Sequence, residues 1–445
     1  MVEIKKITYT DNLRQGTDKI NSNFDTVVDE IKAVDDRVDT IIVGGGPDKD
    51  PELVDIRNLD PSYTPQREIN VAGDVTRDMQ AQFAAHKADL VKESMVVLIP
   101  SDYPTLQEAI DALSNKFPAK DVMIELRMES GFQPSSGISI TYRDCSHFRI
   151  TSEDPVVTVA NDFSGDFIRA EYYARAPILA TIVEMIDKGS DGYHISQQST
   201  GFVEQNCGIR NAGMRGLYVN EASIVQARRS EFTGCNERNV WVTRGSTLSA
   251  DTSNFSANKG GDNAVYISRG STAYISYSTI TNAFKNAITG VRSLIVCEQC
   301  DVSGAAGDGL NVSICHVSAK FMNARNCAND GFFIQDASIV DVRESDCSGC
   351  GRNGLYAIRS SNVNALGLVA ENCGGVGIYA SESANINARN AISKNNATID
   401  VRTAWGAFIS LNGAQTTNST GSAPVASDCI PPNFNNVSSS GIIFA

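Results

Sequence analysis

The chain has 445 residues, about a fifth of them charged, and a formal net charge of −14. That length admits two or three domains, and so acidic a balance argues against nucleic acid as a partner. There is no apolar run of about 18 residues and no basic-then-apolar start, so we expect a soluble, unexported protein with no membrane insertion.

Residues 13 to 41 carry a heptad. Leu13, Ile20, Val27, Val34 and Ile41 hold one seam position, and Thr17, Phe24, Ile31 and Val38 the other. Alternating spacings of three and four predict a left-handed coiled coil, and β-branching at both positions favours trimers over dimers. The alternative is a lone amphipathic helix packed on its own protein. The acidic outer face, Asp35 and Asp36 included, reads as solvated surface. We assign residues 1–45 to this anchoring segment, and Gly44-Gly45-Gly46-Pro47 breaks the helix.

Residues 46–95 read as a linker and head region, proline-rich at first, with a helix from Thr76 to about Lys92. Val96 to Ile99 read as a short buried strand. Thr105 and Glu108 then form a capping box, and Leu106, Ala109, Ile110, Leu113 and Phe117 follow at helical spacing. One amphipathic helix over 105–117 is suited to cover the open end of a stacked-strand domain, which we place at 96–412.

That domain begins irregularly, with strands expected at 122–126, 138–140, 148–151, 156–159 and 178–183. From about Gly192 to Asn412 one short unit recurs. Gly216-Leu217-Tyr218-Val219, Asn239-Val240-Trp241-Val242, Gly309-Leu310-Asn311-Val312 and Gly354-Leu355-Tyr356-Ala357 are four of its copies, spaced about 22 to 25 residues apart. Each alternates aliphatic with polar or aromatic positions, as a strand does. A second strand follows a Ser-containing corner, as at Ser223 and Ser338, and a third ends near Cys or Asn. Three short strands per turn without helices predict a mainly β fold, a single-stranded right-handed parallel β-helix. Past Asn412 the period stops, and residues 413–445 end in the apolar Ile442-Ile443-Phe444-Ala445. We expect this tail to close the distal end of a trimer.

Eleven cysteines, most within repeats, are expected to be free buried thiols. Cys297-x-x-Cys300 and Cys347-x-x-Cys350 have zinc-like spacing, but residues three apart on a strand point to opposite faces, so no metal and no cofactor is expected.

The strand before Tyr103-Pro104-Thr105-Leu106-Gln107-Glu108-Ala109-Ile110-Asp111-Ala112-Leu113, with irregular coils opening into regular rungs, resembles pectate-lyase-like phage tailspikes. The stretch from Asp11 to Phe24 looks like the start of many phage tail appendage proteins. The resemblance covers the layout of most of the chain. It implies a homotrimeric virion tail protein made in the host cytoplasm. Its N-terminus would join other tail or baseplate proteins, and its β-helix would touch the host surface glycan. Some such proteins cleave polysaccharide and others only bind it. A non-enzymatic adaptor of the tail is the alternative.

Outward positions of the first strand carry Tyr218, Trp241 and Tyr266, then Thr289 and Asn311, then Phe333, Tyr356 and Tyr379. Such a stripe serves either as a glycan platform or as a subunit contact. Three residues past the ring position stand Arg244, Arg269 and Arg292, with Arg359 further on; they pair with a neighbour's acids or with an anionic glycan. Glu298, Asp301, Glu344 and Asp346 are the catalytic candidates, set by their coils about 10 Å apart or more across coils, where glycoside cleavage needs ~5–9.5 Å. Arg228 with Asp251, and Glu298 with Lys320 and Arg343, read as a surface charge ladder. The Asn-Thr-Asp, Gly-His-Gly and Arg-Ile-Lys patterns of polygalacturonases are absent, as is the Arg-x-Pro-x-x-Arg of pectate lyases, and enzymatic activity is left open. The four histidines, His86, His147, His194 and His316, read as satisfied or surface residues.

Overall fold

Alternation of inward aliphatic and outward polar side chains drives the chain into a winding ribbon. A computed structural model describes residues 90–91, 93–119, 122–416 and 442–444. The heptad seam (Ile20, Phe24, Val27, Ile31, Val34, Val38 and Ile41 among it) and most of the C-terminal tail lie outside these residues. Every strand pairing among the described residues is parallel, and each strand pairs with its counterparts one coil before and after.

Three walls result. Sheet I has 12 strands, from Ser136–Thr141 at the N-terminal end to Ile399–Thr403. Sheet II has 11, from Thr200–Phe202 through Phe408–Ser410 to a last strand, Ile442–Phe444. The third wall is a four-stranded sheet beginning at Val156–Thr158 and a three-stranded one ending at Gln415–Thr416. Between these it narrows to single-residue bridges running from Glu231 through Asn254, Thr279, Asp301, Asn323 and Asp346 to Val369. Ahead of sheet II a further four-stranded sheet runs from Met95–Ile99 to Ile178–Leu179.

The interior is a set of columns. Leu217, Val240, Val265, Ile288, Leu310, Phe332, Leu355 and Ile378 are register neighbours along sheet I, all buried. Serine hydroxyls fill the corners: Ser223, Ser246 and Ser271 each accept the backbone N–H of the corresponding residue one coil earlier, at 3.1–3.3 Å. The recurring glycine has a steric cause. A Cβ on Gly331 would lie 2.5 Å from the Cys347 Cβ and 2.9 Å from the Gly354 carbonyl oxygen.

Helix α1, Leu106–Leu113, covers the open end. Thr105 Oγ1 accepts the Glu108 N–H at 3.1 Å, and Leu106, Ala109, Ile110 and Leu113 are buried. Gln107 Oε1 takes the Ser139 N–H on the edge strand of sheet I, and Asp102 takes the Leu98 N–H on the edge strand Met95–Ile99. Edge donors that would otherwise face water are thus satisfied.

Three expectations are corrected and one strand is added. The helix stops at Leu113 rather than 117; Phe117 precedes a proline, which disfavours helical backbone, and Phe117–Pro118 pairs as strand with Leu90–Val91. Leu90–Val91 is therefore strand and not the end of a helix running to Lys92. A strand at Ser164–Glu171 was not anticipated. Finally, Cys297 and Cys300 are both buried, as are Cys347 and Cys350, because a left-handed residue, Gln299 (φ 55°) or Gly349 (φ 71°), turns the chain between them. The ten described cysteines are free and buried, and burial pushes the Cys235 and Cys300 thiols up to about 12.

The cap makes a testable demand. Ile110→Ala should destabilise the solenoid by about 2–5 kcal/mol and Thr105→Ala by about 1 kcal/mol, read from urea unfolding midpoints.

Candidate functional site

The outer face of sheet I brings chemistry-bearing side chains into one continuous column. Register places Arg169, His194, Tyr218, Trp241, Tyr266, Thr289, Asn311, Phe333, Tyr356, Tyr379 and Arg402 one above the next. Two aromatic platforms emerge, parted by Thr289 and Asn311. In the upper one, nearer α1, ring centroids lie 4.7 Å apart for His194–Tyr218, 4.9 Å for Tyr218–Trp241 and 6.1 Å for Trp241–Tyr266. In the lower one Phe333–Tyr356 are 5.4 Å apart, and Tyr356–Tyr379 are stacked 4.6 Å apart with ring planes nearly parallel, at 4°.

Guanidinium groups line the upper platform. The Arg215 Cζ sits 3.9 Å from the Tyr218 ring centre and 5.0 Å from that of Trp241; for Arg238 the distances are 4.4 Å to Trp241 and 4.9 Å to Tyr266. Such contacts hold a cation flat against a ring. Arg215 is fixed from behind by a two-pronged bond to Asp191, 2.6 and 2.8 Å, and Arg238 pairs with Asp262. His194 Nδ1 meets Asp166 at 2.9 Å and Asp191 at 3.4 Å.

Burial pushes the Asp191 carboxyl up, against the pull of Arg215. Asp166 is also penalised by burial, yet the bonds from His194 and the Asp191 N–H bring its carboxyl below the usual range. Oxygen and nitrogen atoms of Asp166, Asp191 and His194 lie within 4.8 Å of one another, close enough for a cation. Both Asp191 oxygens are already engaged by Arg215, however, so the donor set is complete as an ion cluster that orients the rings' cationic neighbours.

Around this platform five buried polar atoms have no hydrogen-bond partner within the protein: His194 Nε2, Gln197 Oε1, Asn220 Oδ1, Arg238 Nε and Trp241 Nε1. Unpaired buried donors and acceptors are costly and rare. Beside the lower platform Asp330 Oδ2 is likewise buried without a hydrogen-bond partner, and the Tyr356 and Ser381 hydroxyls are 3.4 Å apart.

Arg244, Arg269 and Arg292 occupy the next corner in consecutive coils, each exposed and left-handed, with φ of 54°, 56° and 53°. Glu221 neutralises Arg244 at 2.5 Å. Arg269 and Arg292 have no carboxylate partner among the described residues. Arg359, further along, pairs with Asp336 and Glu382.

The acids singled out by sequence are not assembled into a pair. Glu298 is bound by Lys320 at 2.8 Å and by the Ser318 hydroxyl at 2.6 Å, and these bonds hold its carboxyl below the usual range, unlike a general acid. Asp301 and Asp346 sit on the third wall with Asn323 between them, each accepting a backbone N–H two residues on. Glu344 is exposed at a left-handed corner. Arg228 and Asp251 do pair, at 3.7 Å, whereas Arg343 turns to Asp341 at 2.7 Å. Sequence reasoning passed over the Asp166–Asp191–His194–Arg215 cluster. Its signal was register: Asp166, Asp191, Arg215 and Arg238 recur 23 to 25 residues apart.

A sequence model described as the right handed beta helix region matches residues 180–293 and 263–424. The chain belongs to this β-helix family. Among solved structures, the β-helix is similar to a mutant of the periplasmic alginate epimerase AlgG, with 11% identity, 74% of this chain and 85% of that one covered, and a TM-score of 0.47. It is also similar to the A-module of the Azotobacter vinelandii mannuronan C-5 epimerase AlgE6 (10% identity, 68% and 88% covered, TM-score 0.29). Pectate lyase Pel9A is a further likeness (13%, 78% and 84%, 0.29). No curated protein matches.

Beside the rings the β-helix carries a second, buried column: Asn263, Asn286, Asp308, Asp330 and Asn353. Each side chain accepts the backbone N–H one coil on, at 2.8–3.3 Å. Two members are acids in adjacent coils. Burial pushes the Asp330 carboxyl up, the Asp308 charge adds to the push, and bonds from Asn353 and the charge of Arg352 only partly offset them. A carboxyl raised in the folded state gives stability that is complete below its unfolded value of about 3.9 and lost as pH rises through the folded value. Asp330→Asn keeps the acceptor for Asn353, so it should raise the melting temperature at pH 7. The gain should shrink to nothing as pH falls below about 4, as a pH series of thermal melts would register.

Proposed function

We propose that this β-helix binds a polysaccharide laid along the outer face of sheet I, as the host-attachment appendage of a phage tail. One observation carries the reading: the upper platform stacks rings at coil spacing and sets the guanidinium groups of Arg215 and Arg238 against them. A carbohydrate has both complements, since a sugar ring covers aromatic faces while its hydroxyls donate and accept. The column is straight and coil-spaced, so a linear chain can touch several rings at once. The heptad seam supports a homotrimer held at its N-terminus by other tail or baseplate proteins.

Binding without cleavage fits the acids better. Glu298, Asp301, Glu344 and Asp346 lie off sheet I, and Glu298 is held ionised by Lys320. No pair of these carboxyls faces the rings.

The test uses purified host envelope polysaccharides and the full chain. Trp241→Ala should weaken binding roughly thirtyfold, as loss of an aromatic anchor worth about 2 kcal/mol does. Glu298→Gln should leave affinity unchanged, and no reducing ends should appear. Failure to bind any envelope polysaccharide would favour the adaptor role instead, and binding by Trp241→Ala and Tyr218→Ala equal to that of the wild type would rule out the upper platform as the site.

A further inference from the structure

The corner that follows the first strand places one residue per coil in left-handed backbone: Glu221, Arg244, Arg269, Arg292, Ile314, Asp336, Arg359 and Glu382, with φ between 50° and 56°. The Gly245 and Gly270 N–H groups donate to the Arg269 and Arg292 carbonyls at 3.0 and 2.7 Å, so these corners stack one on the next. Charge along the column is balanced except at one place. Glu221 answers Arg244, and Asp336 and Glu382 flank Arg359. Arg269 and Arg292 are exposed, lie one coil spacing of ~4.8 Å apart, and have no carboxylate among the described residues. The nearest acids of the column, Glu221 and Asp336, are the ones already engaged. On a chain of net charge −14, two adjacent unopposed guanidinium groups break the rule that their own column keeps.

The break in the ring column adjoins them. Between Tyr266 and Phe333 stand Thr289 and Asn311, so the two rings are three coil spacings apart, about 14 Å. Thr289 and Asn311 are short, and Thr289 is buried, which leaves a step between two ring-bearing ledges. Arg269 follows Tyr266 by three residues and Arg292 follows Thr289 by three, so both cations stand along one edge of this step. Lys285, ahead of Thr289 at the other end of its strand, is exposed and likewise has no carboxylate among the described residues.

We infer that the step is a subsite for an anionic group of the bound polysaccharide, a carboxylate or phosphate carried by the sugar unit between Tyr266 and Phe333. The inference rests on the glycan-binding reading above and adds the ligand's charge to it. A planar guanidinium meets either anion through paired N–H donors, and an anion shared by two such groups turns their repulsion into attraction. A neutral glycan would leave that repulsion in place.

The test compares the full wild-type chain with Arg269→Gln/Arg292→Gln on acidic and neutral fractions of purified host envelope polysaccharide. Gln197 and Gln299 hold the same left-handed backbone in this chain, so the substituted corners keep their fold, and circular dichroism should be unchanged. The wild type should bind the acidic fraction more tightly than the neutral one and lose that advantage as salt rises. The double variant should bind the acidic fraction roughly tenfold more weakly, with a flatter salt dependence and no change on the neutral fraction. Arg325→Gln with Arg389→Gln removes two charges beside the third wall and sheet II and should leave binding as in the wild type. Carboxyl reduction and dephosphorylation of the acidic polymer separate the two sources, since the treatment that abolishes the preference identifies the anion. Equal binding of the acidic fraction by wild type and Arg269→Gln/Arg292→Gln would overturn the inference and leave the glycan-binding reading standing. So would capture of neutral fractions alone, or a preference that survives both treatments. Capture of no polysaccharide at all would sink the two together.

Discussion

Everything in this molecule follows from one constraint: each residue meets its own counterpart in the next coil, roughly 4.8 Å away. A parallel ladder cannot offset one column against another. Whatever stands at a position is stacked on whatever stands there one turn later. Aliphatic residues gain by this, since a single coil buries little and a stack of coils buries a continuous core. Small hydroxyls gain too; Ser223, Ser246 and Ser271 each satisfy a backbone amide of the coil before. Rings gain most visibly, because outward side chains at the coil spacing fall at stacking distance without further design.

Charge is where the constraint bites. Like charges in one column repel with no intervening residue to separate them. The protein answers in three ways: opposite signs alternate at Glu298 and Lys320, a guanidinium is drawn flat over a ring at Arg215 and Arg238, or an acid is backed by an amide ladder at Asp330. Arg269 and Arg292 follow none of these. They lie beside the break in the aromatic column at Thr289, where a bound anion would find two cations and an adjacent ring.

The parallel β-helix was legible because its period is written into the side chains: the aliphatic positions of the first strand recur every 22 to 25 residues from Leu217 to Ile378, behind a Gly, Ala or Asn. Its corners were not. Turn prediction relies on Gly, Asn and Pro, yet here Gln197, Glu221, Arg244, Arg269, Arg292 and Arg359 all adopt left-handed backbone. The ladders on either side hold these strained residues in place, a tertiary effect that no local pattern announces. The same hidden corner, at Gln299, turned Cys297 and Cys300 both inward. Strand Ser164–Glu171 escaped notice because its Asp166 and Arg169 interrupt the apolar run. Those two residues and His194 are the start of the polar column, so the cluster behind the upper platform was missed along with its strand.

The contrast between the two broad walls has a physical root in how each manages exposed apolar surface. On sheet I the rings cover one another and the guanidinium groups cover the rings, so the face is half-buried by its own side chains. On sheet II, Ile224, Leu294 and Ile339 alternate with Thr, His and Asn in their own column and cannot cover one another. An aliphatic side chain with small or polar neighbours above and below has only a second surface to shield it. A column of like rings therefore shields its own apolar surface, and aliphatic side chains set singly among polar neighbours do not.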